Sequence, residues 1–310
     1  MGRAGFMHGL VTRTTGSWYK VLTGSGASYD CRLRGNYRLR GNKQTNPIAV
    51  GDCVEFALQD DGTGLIASVG DRRNYIVRKA TKLSKQTHVI ASNIDLLCVV
   101  ATLAYPRTST GFIDRLLVTA EAYHIPACLI FNKVDLYDGN LSAAMLHLKS
   151  IYETAGYPVL ATSAVKGIGI NDLRALIGGR TVLFSGHSGV GKSALLNAIE
   201  PSLDLRIGEV SKWSEKGRHT TTFAEIFPLT DSHAFLIDTP GIKEFGMVDI
   251  KADELGHFFP EIRSRLHGCR FNTCTHTHEP GCAVKEAVEK GEITDERYSS
   301  YLKILEDCGA

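Results

Sequence analysis

Residues 181–200 read TVLFSGHSGVGKSALLNAIE, and this stretch decides the fold. An apolar run, TVLFS, leads into the glycine-rich loop GHSGVGKS at 186–193, and a helix-forming segment follows. The loop matches the pattern Gly-x4-Gly-Lys-Ser/Thr, in which successive backbone N–H groups surround phosphate oxygens. Because a strand precedes the loop and a helix follows it, the stretch predicts an α/β nucleotide-binding fold.

This loop and the residue after it have predicted roles in binding a nucleotide triphosphate with Mg²⁺. Lys192 is expected to reach the β- and γ-phosphates, and the Ser193 hydroxyl is expected to bind Mg²⁺. Ala194 begins the helix, whose N-terminus offers further amide donors. His187 is expected to contribute its backbone amide rather than side-chain chemistry. The full predicted set is Gly186, His187, Ser188, Gly189, Val190, Gly191, Lys192, Ser193 and Ala194.

Strands and helices alternate from about residue 93 to residue 248. DLLCVVA at 95–101 and ACLIF at 127–131 predict buried strands, and the segment after each has helical periodicity. This alternation calls for a mainly parallel sheet that is covered on both faces. FAEIFPL at 223–229 and HAFLIDT at 233–239 are predicted to form an antiparallel pair at one edge of that sheet.

The segment NKVD, which follows ACLIF, is predicted to recognise guanine. A carboxylate at Asp135 can accept hydrogen bonds from both N1–H and N2–H of guanine, and adenine lacks this donor pair. Asp135 would therefore select GTP over ATP. Asn132 and the stem of Lys133 would support the loop and cover the base, and Val134 completes the motif.

Two shorter motifs complete the nucleotide-binding set. Thr162, Ser163 and Ala164 follow the strand-like run PVL and would add a backbone donor to guanine O6. The segment DTPG runs from Asp238 to Gly241 after the apolar run AFLI. Its carboxylate can hold the water shell of Mg²⁺, and its glycine amide can meet the γ-phosphate. The four motifs together predict a GTPase.

The motifs stand in an unusual order. In ordinary GTPases the phosphate loop comes first and the base-reading motifs last, whereas here NKVD and TSA precede GHSGVGKS. Binding depends on where loops lie at the carboxyl edge of the sheet, not on their order in the chain. The sequence therefore predicts a circularly permuted sheet.

The first 85 residues predict a separate barrel. Five short strand-like runs, separated by Gly, Asn and Asp clusters, suit the five-stranded OB-fold. Residues 1–85 carry 14 Lys and Arg against 6 Asp and Glu, a net charge of +8, whereas the remainder carries −6. This basic module, with arginines and tyrosines between residues 29 and 43, favours RNA as a partner. The competing interpretation is an exposed hairpin without a partner.

Three of the eight cysteines cluster with histidines near residue 275. Their spacing, Cys-x4-Cys-x-His-x5-Cys, offers three thiolates and one imidazole, which suits a closed structural Zn²⁺ site. A redox role is the competing interpretation, although three thiols and a histidine within 14 residues make a poor redox pair. The candidate ligands are Cys269, Cys274, His276 and Cys282, with His267 and His278 as alternatives.

The whole arrangement resembles the RsgA family, also called YjeQ, which comprises circularly permuted GTPases that depend on the bacterial small ribosomal subunit. The resemblance is carried by the order NKVD, TSA, GHSGVGKS, GRHTTT and DTPG, preceded by a barrel containing VGDCVEF and followed by a Cys/His knuckle. It implies a late factor in maturation of the small subunit, which binds the rRNA, is stimulated by the subunit and leaves on hydrolysis. It also favours His276 as the fourth zinc ligand.

Hydrolysis of GTP requires a residue that orients the attacking water. Many GTPases place a glutamine just after the DxxG glycine, but here Ile242 occupies that position and cannot hydrogen-bond. His219, in the stretch GRHTTT, is the candidate, and the resemblance points the same way. The competing interpretation is a solvent-exposed loop histidine. Thr221 is the preferred partner of Ser193 in the Mg²⁺ shell.

The sequence thus predicts an α/β P-loop GTPase domain, circularly permuted, between an all-β OB-fold barrel and an α-helical zinc-binding domain. The predicted boundaries are 1–85, 86–248 and 249–310. No apolar run reaches the roughly 18 residues of a bilayer span, and the N-terminal segment has no apolar core of signal-peptide length. A monomeric cytoplasmic protein with no membrane partner is expected, with GTP or GDP, Mg²⁺ and one structural Zn²⁺ as its ligands.

Two other functions remain open from sequence alone. The chain could be a passive RNA assembly factor that holds GTP as a structural ligand. It could also be a P-loop kinase or ATPase, although the pair of NKVD and TSA argues against adenine nucleotides.

Overall fold

A computed structural model describes residues 5–33, 47–79, 87–203, 224–230, 233–238 and 250–308 of the chain. They divide between two units, which are described separately. The first unit takes its residues from Met1–Leu96, Ile177–Leu183 and Ser211–Ile242. The second takes its residues from Leu97–Leu176, Phe184–Val210 and Lys243–Ala310.

Five N-terminal strands of the first unit close into a barrel. They are β1 (Met7–Thr15), β2 (Trp18–Thr23), β3 (Ser28–Leu33), β4 (Cys53–Leu58) and β5 (Gly64–Val69). β1 pairs with both β2 and β4, β2 pairs with β3, β3 runs parallel to β5, and β5 pairs with β4, which closes the ring. Inward-facing side chains such as Tyr19, Phe56 and Ile66 fill the core. The predicted OB-like barrel is confirmed.

A two-stranded hairpin, β6 (Tyr75–Lys79) and β7 (Thr87–Ser92), follows the barrel and was not predicted. The fully buried Asp52 connects the two elements. Its carboxylate accepts hydrogen bonds from Arg72 Nε at 2.7 Å and from Ser92 Oγ at 2.6 Å. A buried charge is tolerated when it is paired and hydrogen-bonded in this way. Asp52 therefore anchors the hairpin to the barrel.

Parallel strands alternate with helices in the second unit, as predicted. The elements are β8 (Leu96–Ala101), α1 (Thr110–Ala122), β9 (Ala127–Phe131), α2 (Gly139–Thr154), β10 (Val159–Ala161) and α3 (Ile170–Ile177). Every residue of β8 and β9 is buried, as expected for a sheet covered on both faces. Ser109 and Asp138 begin α1 and α2 because each side chain accepts a hydrogen bond from a backbone N–H of the first turn.

The chain then forms β11 (Thr181–Ser185), α4 (Lys192–Ile199), β12 (Glu225–Leu229) and β13 (Ala234–Asp238). β12 and β13 are antiparallel, as predicted, and β13 runs parallel to β11. The predicted edge position of this pair is wrong. β12 also pairs with β1 at one position, where Glu225 lies opposite Arg13. The sequence of a strand does not reveal such a neighbour, because an edge strand and a strand paired on both sides show the same alternation of side chains.

The C-terminal region is helical, as predicted. It contains α5 (Pro260–Arg263), α6 (Ala283–Glu289) and α7 (Asp295–Cys308). Its apolar core includes Phe259, Tyr301 and Ile304 and extends to Val118 of α1. Arg297 of α7 is buried beside this core, where its Nη1 donates to Asp114 Oδ1 at 2.5 Å and its Nε donates to Glu261 Oε1 at 2.6 Å.

Candidate nucleotide site and metal cluster

Three strand ends of the second unit lie in one row. Ala101 of β8 is in register with Phe131 of β9, and Phe131 is in register with Ala161 of β10. The residues that follow these ends therefore emerge at the same level of a parallel sheet. This explains why NKVD, which starts at residue 132, and TSA, which starts at residue 162, lie side by side although 30 residues separate Asn132 from Thr162 in the chain.

The buried side chain of Asn132 joins three predicted motifs. Its Nδ2 donates to the carbonyl oxygen of Val190 in the phosphate loop at 2.9 Å. Its Oδ1 accepts from Thr162 Oγ1 at 3.1 Å, and the Val134 N–H donates to the Thr162 carbonyl at 3.1 Å. Buried amides are normally satisfied on both sides, so these bonds determine how Asn132 is oriented. The structure therefore brings the phosphate loop, NKVD and TSA together.

The phosphate loop can adopt its tight path because of its glycines. Gly186 has φ 149°, and a Cβ there would lie 2.2 Å from the Val100 carbonyl oxygen. Gly191 has φ 94°, and a Cβ there would lie 2.4 Å from Asn132 Nδ2. Lys192 Nζ donates to the carbonyl oxygens of Gly186 and His187, both at 2.7 Å. Its amine thus lies on the inner side of the loop, and Ser193 follows in the first turn of α4.

Lys133 adopts a left-handed backbone conformation, with φ 62° and ψ 34°. This conformation is uncommon for a residue with a side chain and is frequent at functional sites. Its Nζ donates to the Tyr105 carbonyl oxygen at 2.6 Å, and its Cε lies 3.7 Å from the position of a Cβ on Gly191. The stem of Lys133 therefore lies over the phosphate loop, while Asp135 is exposed.

The side chain of His187 packs against Phe112 of α1. The two rings are stacked, with centroids 3.6 Å apart and an interplanar angle of 24°. Burial, and to a lesser degree the positive charge of Lys192, lowers the pKa of His187 from its ordinary value of 6.5. The imidazole is therefore neutral at pH 7 and is engaged with α1. The phosphate-binding role of its backbone amide stays a prediction.

A fourth loop, Thr102–Thr108, follows β8 and carries no recognisable sequence motif. It closes on itself, because Thr108 donates its backbone N–H to the Thr102 carbonyl at 2.8 Å. Pro106 lies beside the phosphate loop, with its Cδ 3.4 Å from the position of a Cβ on Gly189. Tyr137 also reaches this loop, since its hydroxyl accepts from the Leu103 N–H at 2.9 Å. The only available signal was its place directly after a buried parallel strand.

The second cluster gathers the four predicted zinc ligands. The ligand atoms of Cys269, Cys274, His276 and Cys282 all lie within 4.8 Å of one another. His276 Nδ1 is 3.6 Å from Cys269 Sγ and 3.4 Å from Cys282 Sγ. A tetrahedral Zn²⁺, bonded to sulfur at about 2.3 Å and to nitrogen at about 2.1 Å, requires ligand atoms about 3.6 Å apart. The cluster fits a zinc site.

His267 and His278 lie outside this cluster, and both are exposed. Burial raises the pKa of Cys274 to about 12, so a cation is needed to hold its thiolate at neutral pH. The geometry thus favours His276 as the histidine of the set. The sequence spacing alone does not distinguish His276 from His267 and His278 as the fourth ligand.

A single carboxylate organises the loop that carries His276. Glu279 accepts hydrogen bonds from the backbone N–H and hydroxyl of Thr275, at 2.7 and 2.6 Å, and from the Thr277 N–H at 3.0 Å. Tyr298 of α7 donates its hydroxyl to the carbonyl oxygen of His276 at 2.6 Å. The loop is therefore fixed on both sides, and His276 is held at φ 60°.

Comparison with known proteins identifies the family. The family model described as RsgA GTPase matches residues 69–248, and the model described as RsgA N-terminal domain matches residues 8–66. The chain belongs to the RsgA GTPase family. A relative from Bacteroides fragilis, named small ribosomal subunit biogenesis GTPase RsgA, is 49% identical over 301 residues, which cover 97% of either chain.

Two solved structures resemble the RsgA-family chain along nearly its whole length. YjeQ from Thermotoga maritima superposes with a TM-score of 0.82 at 36% identity, covering 98% of this chain and 99% of its own. YloQ, described as a circularly permuted GTPase, superposes with a TM-score of 0.78 at 30% identity, covering 100% of this chain and 97% of its own. The predicted permuted order of the RsgA fold is thereby confirmed.

Several predicted RsgA site residues lie outside the described part of the chain. These include His219, Thr221 and Gly241. The backbone of Asp238 is described, and it ends β13, which runs parallel to β11. In the barrel, Arg32 stacks over Trp18 with its guanidinium carbon 3.8 Å from the ring centroid. Tyr29 also lies in β3, and the part of the predicted basic stretch from residue 34 onward falls outside the described residues.

Proposed function

We propose that this RsgA-family chain hydrolyses GTP to GDP and phosphate during late maturation of the small ribosomal subunit. It would bind the rRNA of that subunit, be stimulated by the subunit and leave on hydrolysis. The observation that carries the proposal is the Asn132 side chain, which joins the phosphate loop to both base-reading loops. The name of the Bacteroides fragilis relative supports the link to the small subunit.

In this proposal the nucleotide lies along the row of strand ends. The exposed carboxylate of Asp135 accepts from guanine N1–H and N2–H, and the stem of Lys133 covers the base. A backbone amide of Thr162–Ala164 donates to guanine O6. Backbone amides of residues 186–194 surround the phosphates, and Lys192 offsets their charge.

The chemistry is the transfer of a phosphoryl group to water. Mg²⁺, bound together with GTP, supplies positive charge to the phosphate oxygens, and Ser193 with Thr221 would hold it. Asp238 would hold the water shell of the ion, and the Gly241 amide would contact the γ-phosphate. His219 is the proposed residue that orients the attacking water, because Ile242 cannot.

One structural Zn²⁺ is proposed for the cluster of three cysteines and His276. Three thiolates and one imidazole fill a tetrahedral shell and leave no position for a substrate, which is typical of structural rather than catalytic zinc. The ion would fix the C-terminal knuckle and hold its thiols deprotonated.

The barrel is the proposed RNA-binding module, where the pair of Arg32 and Trp18 presents a cation stacked on an aromatic ring. Among the described residues, no helix has both the length and the apolar character needed to cross a bilayer. A cytoplasmic monomer, with domains at 1–85, 86–248 and 249–310, remains part of the proposal.

The decisive experiment measures single-turnover release of phosphate from GTP with purified small subunits, with large subunits and with neither. Small subunits should accelerate release, and large subunits should not. Equal slow release in all three would leave a passive GTP-holding RNA factor as the better description. Failure to retain GTP or GDP in equilibrium dialysis with Mg²⁺ would overturn the nucleotide site itself.

A further inference from the structure

Tyr137 lies just after NKVD, and it makes two hydrogen bonds that the predicted roles leave unexplained. Its hydroxyl donates to the carbonyl oxygen of Asn132 at 2.9 Å. The hydroxyl oxygen of Tyr137 also accepts a hydrogen bond from the N–H of Leu103 at 2.9 Å. A neutral phenol can donate and accept at once, so one hydroxyl connects the guanine-reading loop to the loop Thr102–Thr108.

The environment of Tyr137 keeps its hydroxyl protonated, which allows it both to donate and to accept. The side chain is half-buried, and burial raises its pKa above the ordinary value of 10. The hydroxyl therefore keeps its proton throughout the neutral range. Tyr137 follows the short helical turn Val134–Leu136 and lies two positions beyond Asp135, the residue that would bind guanine.

The loop that Tyr137 holds is the loop that holds Lys133. The Leu103 N–H donates to the Tyr137 hydroxyl, and two residues later the Tyr105 carbonyl accepts from Lys133 Nζ at 2.6 Å. Asn132 and Lys133 are adjacent in NKVD, and both are connected to the loop Thr102–Thr108. Asn132 is connected through the Tyr137 hydroxyl, and Lys133 through its own amine. Fixing a loop before the ligand arrives removes part of the entropy cost of binding.

A purely structural role is the competing explanation. The N–H of Leu103 and the carbonyl of Asn132 each need a partner, and the Tyr137 hydroxyl supplies it. In that case, removing the hydroxyl would lower the stability of the fold and leave nucleotide affinity unchanged. The two explanations therefore differ in what an isosteric deletion does to binding.

We propose that Tyr137 is a positioning residue for guanine nucleotides, whose hydroxyl holds the loop Thr102–Thr108 so that the Tyr105 carbonyl fixes Lys133 over the base. The inference rests on the proposed nucleotide site and adds a residue to it. Since the proposed role of Lys133 is to cover the base and involves no contact with the γ-phosphate, GDP and GTP affinities should fall together when the hydroxyl is removed.

The test replaces Tyr137 by phenylalanine, which deletes the hydroxyl and keeps the ring. Dissociation constants for fluorescent GDP and for a non-hydrolysable GTP analogue should each rise by about tenfold, the effect of losing a well-placed hydrogen bond. The hydrolysis rate of the nucleotide-saturated protein should stay at the wild-type value, so that KM rises without a change in kcat. A structural role alone would not produce this split.

The matched control is Tyr157→Phe, which removes another buried tyrosine hydroxyl, bonded at 3.4 Å to Glu121. It should leave both affinities at the wild-type value. The inference is overturned if Tyr137→Phe binds GDP as tightly as wild type, or if both variants lose affinity equally. If the wild-type protein itself binds no guanine nucleotide, the proposed function is overturned as well.

A double-mutant cycle with Lys133→Met tests the route through Lys133. Because both changes remove parts of one arrangement, the effect of Tyr137→Phe on GDP affinity should shrink severalfold in the Lys133→Met background. Full additivity of the two effects would overturn the proposed route. Melting temperatures without nucleotide, measured for every variant, verify that each protein is folded during the binding measurements.

Discussion

The nucleotide loops and the Cys/His cluster are built in opposite ways. The predicted nucleotide-binding loops come from distant parts of the chain. Strand register brings them together, and so do hydrogen bonds such as that from the Asn132 side chain to the Val190 carbonyl. The cluster comes from 14 consecutive residues, Cys269 to Cys282, none of which lies in a helix or a strand. In the cluster, the three thiols and the imidazole of His276 lie within 4.8 Å of one another.

The difference shows what fixes the positions of the residues in each site. A sheet with buried strands specifies loop positions through packing that exists before any ligand binds. Three clustered thiols carry no such guarantee, because burial raises the pKa of Cys274 to about 12 and its thiolate therefore needs a cation. The nucleotide loops should therefore tolerate a single substitution with a local effect, whereas the cluster should respond as a unit.

The largest expected effect is that of Cys282→Ser. Loss of one thiolate should abolish zinc binding, because a structural zinc site needs all four of its ligands. The effect on folding should be large, since structural zinc contributes about 10 kcal/mol in small isolated modules. Metal analysis should show zinc falling from one ion per chain to none, with loss of helical circular dichroism. Cys308→Ser, in α7 and outside the cluster, should keep its zinc. Loss of GDP affinity beyond about twofold in Cys282→Ser would break the comparison.

A smaller but still large effect is expected at Arg297, which connects α7 to Asp114 of α1. Arg297→Met should leave buried acidic groups without a cation and lower the free energy of unfolding by about 3–5 kcal/mol. Urea titration measures it. Arg263→Met is the matched control, since Arg263 forms a partly exposed ion pair with Glu121 and should cost below about 1 kcal/mol. Equal losses would contradict the assigned importance of the buried pair.

Asp135→Asn should act only on the choice of base. An amide cannot accept from both guanine donors, so GTP affinity should fall by about a hundredfold while affinity for xanthosine triphosphate rises. Competition binding with both nucleotides measures the shift. Asp138→Asn, three residues on, caps α2 through its side-chain oxygen and should leave the preference for GTP intact. An unchanged preference in Asp135→Asn would contradict the guanine-reading role.

The smallest effect concerns His187. Its folded pKa is lowered mainly by burial, so protonation below pH 6.5 favours the unfolded state, and this residue's contribution to stability is lost as the pH falls. Phe112→Leu removes the stacked ring and should move the His187 pKa back towards 6.5. Titration of the imidazole by NMR measures the shift. A pKa that stays unchanged in Phe112→Leu would assign the burial to other neighbours.

Much of this molecule could be predicted because its signals are local. The barrel strands, the βαβ alternation and α7 follow from periodicity, and the phosphate loop follows from its glycines. The cluster geometry favours His276, as the family pattern did, although exposure and position in space are what separate it from His267 and His278.

What could not be predicted depends on partners distant in sequence. The pairing of Arg13 with Glu225 joins strands more than 200 residues apart, and no periodicity encodes it. The hairpin anchored by Asp52 and the loop Thr102–Thr108 likewise carry no motif. Tyr137 resembles any half-buried tyrosine until its two hydrogen bonds are seen.

The ion pair between Asp114 and Arg297 has a consequence for biosynthesis. These residues are 183 positions apart, and at about 5–20 residues per second a ribosome needs about 10–40 s to translate from one to the other. During that interval the nascent α1 carries an acid whose cationic partner does not yet exist. Asp114 cannot pair with Arg297 until α7 emerges, so this part of the unit can close only after α7 has been translated.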